Sequence, residues 1–155
     1  MTEHISRTAT GTTTVGVRLP AQLEQLLMLR ALAETVSLIA DFALDEVTDI
    51  RLALDEVATS LILDAVPGSE LTCEFTYGDD RMSVAVSSIA ATESVGDRHS
   101  FGWHIVRTLT ESIATEQRPF DDVAGGYPTT ARFTWVRGGS DGRGSPDGNG
   151  RPDGS

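Results

Sequence analysis

The sequence has no lysine: its 12 basic residues are all arginine. A P-loop phosphate site needs a lysine, so that site is excluded. There is 1 cysteine, Cys73, which rules out an internal disulfide framework. His4, His99 and His104 are scattered, and no second cysteine joins them, so no Cys/His zinc site is expected. No apolar run reaches membrane-spanning length and the mean hydropathy is −0.11, which argues against a transmembrane helix. The first 14 residues are polar and threonine-rich with no apolar stretch, so no secretory signal is expected. No G-x-S-x-G elbow occurs, and no histidine is spaced for a Ser/His/Asp set. These absences point to a cytoplasmic protein without metal ligands.

What is present suits one domain. The chain has 155 residues and 39% hydrophobic composition, enough to bury a core. Its net charge is −11. A strongly acidic surface repels nucleic acid and attracts basic partners, although acidity can also serve solubility alone. Residues 138–155 hold no large apolar side chain and are dense in Gly, Pro, Asp and Ser, so a disordered tail is expected there. Residues 1–14 are expected to be a flexible N-terminus. The folded domain is then 15–137.

Val15, Val17 and Leu19 alternate as in a strand, and Pro20 is placed to start a helix over 21–42. Leu26, Leu27, Met28 and Leu29 cover a full turn. That helix is either deeply buried or meets a partner, as contact area or as a homodimer surface. Asp45 suits the N-cap of a second helix, which Pro67-Gly68 stops. Val47, Ile50, Leu54, Val57 and Leu61 form its core stripe, and Leu52, Glu56, Ser60 and Leu63 lie opposite. Strands are expected over 71–77 and 82–88, joined by a turn at Gly78-Asp79-Asp80. A helix over 101–111 and strands over 113–117 and 129–136 follow, with Ala131, Phe133 and Trp135 on one face. Cys73 reads as a buried packing residue. The expected fold is an α/β two-layer sandwich: a mixed, mainly antiparallel sheet with three helices on one face.

Four segments carry candidate chemistry. Glu56 and Ser60 lie one turn apart on the second helix. Val84-Ala85-Val86-Ser87-Ser88-Ile89-Ala90 ends a strand. Ser100-Phe101-Gly102-Trp103 opens the third helix, where phosphates can meet backbone N–H groups. Thr129-Thr130 lies on the closing strand. Bland readings stand beside these: Glu56 is one acid among many, and Gly102 merely starts a helix.

In this order and spacing the chain resembles the GHKL (Bergerat-fold) ATPases, specifically their small anti-sigma factors. The likeness is greatest to the mycobacterial-type branch that regulates a sigma-F-like stress factor. It spans residues 15–137. The resemblance implies that Glu56 is a general base and that Gly102 and Thr130 line ATP. Position 60 is serine where the family has a Mg²⁺-holding asparagine, and a hydroxyl is the weaker ligand. Ser88 replaces the aspartate that reads adenine, and Ala90 and Thr92 replace glycines. The ATP and Mg²⁺ affinities implied are therefore weak or lost. The function implied is sequestration of a stress- or sporulation-type sigma factor, released by a STAS-type anti-anti-sigma antagonist. An ATP-dependent serine kinase acting on that antagonist is the alternative, and an acidic interaction module unrelated to transcription is a third reading.

Overall fold

The alternating segments pair into one sheet in the computed structural model, which describes residues 2–7, 11–93 and 101–138. The strands are β1 (Thr2–Arg7), β2 (Thr13–Pro20), β3 (Glu70–Tyr77), β4 (Arg81–Ala90), β5 (Ser112–Gln117) and β6 (Tyr127–Val136). The helices are α1 (Leu26–Ile39), α2 (Leu44–Leu63) and α3 (Phe101–Leu109), and a short 3-10 turn, Leu23–Gln25, precedes α1. The sheet order is β1-β2-β3-β4-β6-β5. Every pairing is antiparallel, so the mainly antiparallel sheet expected has no parallel pair among the described residues. The α1–α2 excursion joins the antiparallel neighbours β2 and β3, whereas α3 carries the chain from β4 past β6 to β5, which runs parallel to β4 with β6 inserted between them.

Register places one side chain of each pair on a common face. Val17 faces Cys73, Cys73 faces Val86, and Val86 faces Ala131. Val84 faces both Phe75 and Phe133 in the same way. All of these are buried, together with Ile50, Leu54, Val57 and Ala58 of α2 and Val106 of α3. The core therefore lies between this sheet face and the helices, and the fold is a two-layer α/β sandwich. Burial pushes the Cys73 thiol well above its ordinary range, so it is a packing group and not a nucleophile.

Several local expectations change. Thr2–Arg7 forms a strand where a loose segment was expected. Its His4 lies over Gly16 of β2 and reaches Glu74 of β3 at 3.2 Å, a path that a side chain at position 16 would block. Pro20 ends β2 instead of opening a helix. Ala43, not Asp45, is the N-cap of α2: its N–H donates to Glu46 Oε1 at 3.2 Å. Two acids in the first turn still complement the helix dipole. Apart from Gly138, the expected tail 138–155 lies outside the described residues.

Candidate functional site

α1 and α2 form an antiparallel hairpin. α1 buries Leu26, Leu29, Ala33, Val36 and Ser37, and Asp41, two residues past its end at Ile39, adopts φ 63°. Its two charges are both used against α2. Arg30 Nε donates to Asp55 Oδ1 at 2.7 Å, and Arg51 Nη1 of α2 donates to Glu34 Oε2 at 3.5 Å. Such exposed pairs are each worth at most about 1 kcal/mol, but they fix the register of the hairpin. They leave the outward side of α1 uncharged, with Leu27, Met28, Leu38 and Ile39 exposed. The outward side of α2 carries Asp45, Asp49, Leu52 and Glu56 at four- and three-residue steps, and Leu63 two turns beyond Glu56. Burial first, then the charges of Asp45 and Glu46, raise the Asp49 carboxyl above its ordinary value.

The structure does not bring the sequence-derived residues together. Glu56 is exposed on α2, on the side away from the sheet. Gly102 is the second residue of α3; the loop before it, 94–100, and the side chains of Phe101 and Trp103 lie outside the described residues. Thr130 stands on the outer face of the sheet, where Ser87 and Thr130 share a hydroxyl hydrogen bond at 2.9 Å. Strand alternation explains this: if Ala131, Phe133 and Trp135 face the helices, Thr129 does too and Thr130 cannot. Thr129 is indeed buried, in register with buried Ser88. That alternation is legible in the sequence and puts Thr129, not Thr130, on the helix-facing side.

Ser88 and Thr129 belong to a polar junction that sequence reasoning missed. Ala91 N donates to Asp64 O at 2.7 Å, and Val66 N donates to Ile89 O at 2.8 Å. Thr92 Oγ1 donates to the Asp64 carboxylate at 2.8 and 2.9 Å. Gln117 Nε2 donates to Thr129 Oγ1 at 3.1 Å and to Thr92 O at 3.3 Å. The end of α2 is thus tied to the ends of β4 and β5. These pairings are long-range, so no local motif announces them. Ser88 Oγ is buried with no hydrogen-bond partner among the described residues.

Among the described residues, the orphaned Ser88 hydroxyl is a feature of this arrangement that would suit a polar ligand of an ATP–Mg²⁺ site. It carries no charge for an adenine amino group, Thr130 is on the wrong face of the sheet, and Glu56 points to solvent. Among the described residues no group of three His, Cys, Asp or Glu side chains could hold a metal ion. The described residues do not by themselves fit ordinary ATP binding.

No protein-family model matches the chain. It is 35% identical over 128 residues to the anti-sigma-F factor RsbW of Mycobacterium tuberculosis, in strains CDC 1551 / Oshkosh and H37Rv. The match covers 79% of this chain and 75% of the relative. The chain belongs to the RsbW anti-sigma-F factor family. Among the described residues of this RsbW-family chain, no helix is long and apolar enough to cross a membrane.

Membership in the RsbW family makes Ser88 worth testing directly. A buried hydroxyl without a partner costs about 1–3 kcal/mol, and serine to alanine leaves almost no cavity. Ser88→Ala is therefore expected to stabilise the chain by about 1 kcal/mol, read as a higher urea midpoint at unchanged m-value. A lower midpoint would mean that the hydroxyl is satisfied in solution.

Proposed function

We infer that this chain is an anti-sigma factor that sequesters a stress- or sporulation-type sigma factor, blocks its transcription activity and yields it to a STAS-type antagonist. The observation that carries this reading is the 35% identity to RsbW across most of both chains. The net charge of −11 and the acid-bearing outward side of α2 support it, because sigma factors carry DNA-binding surfaces that are basic. The serine-kinase alternative is not favoured, since Ser60 and Ser88 replace the groups that would hold Mg²⁺ and adenine and Thr130 faces away. The chain's own part is to bind, and its acids steer a basic partner on encounter.

The test uses the purified full chain with each sigma factor of the source organism in turn. One sigma factor is expected to co-elute with it in gel filtration and to lose promoter-dependent transcription as the chain is added. Retention of none, with no transcript affected, would sink the reading. A melting temperature raised by Mg-ATP would revive the kinase alternative through ligand linkage.

A further inference from the structure

The outer surface of the α1–α2 hairpin leaves several large apolar side chains exposed, among them four leucines: Leu27 (73% exposed), Leu38 (45%), Leu52 (49%) and Leu63 (70%). On α1, Leu27 and Leu38 project to the outward side next to the α2-facing residues Arg30 and Glu34. On α2, Leu52 and Leu63 project outward next to the α1-facing residues Arg51 and Asp55. The four leucines therefore flank one seam, whose floor is the two ion pairs. Beyond Leu52 and Leu63, Asp45, Asp49 and Glu56 form the far rim. From Leu27 to Leu38 the seam runs about 16 Å, or three helical turns.

We propose that this seam is the sigma-binding surface and that it takes a basic amphipathic helix of the partner, leucine-side down, with its basic residues on Asp45, Asp49 and Glu56. The inference rests on the anti-sigma reading and adds where the contact lies and what chemistry it takes. Charge complementarity selects the occupant. A second copy is disfavoured, because the only basic residues at its own seam, Arg30 and Arg51, are already paired with Asp55 and Glu34 and leave the acidic rim without a partner. The chain's own residues 139–155 are ruled out, since they hold no large apolar side chain to fill the seam. A basic helix satisfies both halves of the surface: apolar anchors in the groove and opposite charges at the rim. It also relieves the crowding of carboxylates around Asp49.

Leu52→Lys and Thr130→Lys test this. Each adds one positive charge at an incompletely buried site, the first in the seam and the second on the opposite side of the molecule. Binding is measured for the co-eluting sigma factor and, separately, for a labelled Leu/Lys heptad peptide and its Leu/Glu counterpart. Both variants should keep the wild-type melting temperature. Leu52→Lys should weaken the sigma factor and the Leu/Lys peptide at least tenfold; Thr130→Lys should change them less than twofold; the Leu/Glu peptide should not bind. If Leu52→Lys retains the sigma factor as well as Thr130→Lys does, the seam assignment is wrong while the anti-sigma reading stands. If the wild type retains no sigma factor, that reading falls and the Leu/Lys peptide alone decides the seam: binding lost on Leu52→Lys supports it, and no binding overturns it. A wild-type dimer that Leu52→Lys splits in sedimentation would make the seam a self-interface and overturn the proposal.

Discussion

Replacing Phe133 by alanine is expected to destabilise the chain by about 4 kcal/mol, the usual cost of emptying a buried phenylalanine site. Phe133 is fully buried on β6, between Val84 of β4 and Ile113 of β5. Its ring meets the Trp135 ring edge-on, with centroids 5.0 Å apart and planes at 89°. Such a pair adds about 0.5–1.5 kcal/mol beyond burial. Trp135 in turn donates its Nε1–H to Leu109 O at 2.8 Å, at the end of α3. The loss therefore spreads from the sheet to a helix. Against a total of about 5–15 kcal/mol this leaves a marginal domain. Urea unfolding checks it: the midpoint should fall sharply, with sigma binding lost in step with the folded fraction. A loss below about 1 kcal/mol would mean that the sheet face around position 133 is not packed as described.

The same residue shows what the sequence made legible. Phe133, Ala131 and Trp135 were placed on one face by period-2 alternation, and so were Val15, Val17 and Leu19. The alternation survives folding because a one-residue slip would turn every one of these apolar groups into water. The α2 stripe of Val47, Ile50, Leu54, Val57 and Leu61 was legible for the equivalent helical reason, and all five are buried. β1 was not legible. Ile5 is its one large apolar residue and is exposed, so no burial pattern marks the strand. Its place depends on the backbone ladder to β2 and on His4 crossing Gly16 to Glu74, neither of which is local. Thr130 differs in kind: residue type matches it to a motif, while the alternation of β6 sets its side chain on the outer face beside Ser87.

The candidate site divides in the same way. The outward side of α2 was recognised as half apolar from spacing alone, and Leu52 and Leu63 are exposed there. The α1–α2 seam could not be read from sequence, because it depends on the hairpin register set by Arg30–Asp55 and Glu34–Arg51. The junction at the end of β4 was also hidden. Its members, Asp64, Thr92, Gln117 and Thr129, come from separate elements.

That junction sets the second large effect. Gly126→Ala is expected to cost about 2–3 kcal/mol, through crowding and not through backbone conformation. A Cβ at Gly126 would stand 2.5 Å from Ala90 O, and 2.8 Å from both Ile89 Cγ2 and Val66 Cγ2. A backbone carbonyl cannot swing aside as a flexible side chain can. Ala90 is also held from two directions, by its ladder position opposite Tyr127 and by a bridge to Ala65. Gly125 is the internal control: it has φ +76° and open space around its Cβ position, so alanine there meets only the left-handed backbone penalty of about 1 kcal/mol. Gly126→Ala should therefore lose more stability than Gly125→Ala. It should also speed amide exchange at Val66 and Ala91, whose N–H groups donate to Ile89 O and Asp64 O across the junction. Equal losses at 125 and 126 would mean that the β5–β6 loop is not seated on the end of β4. If the junction is loosened while sigma binding per folded molecule stays at its wild-type value, the junction holds the fold together and the partner is held elsewhere, as the α1–α2 seam requires.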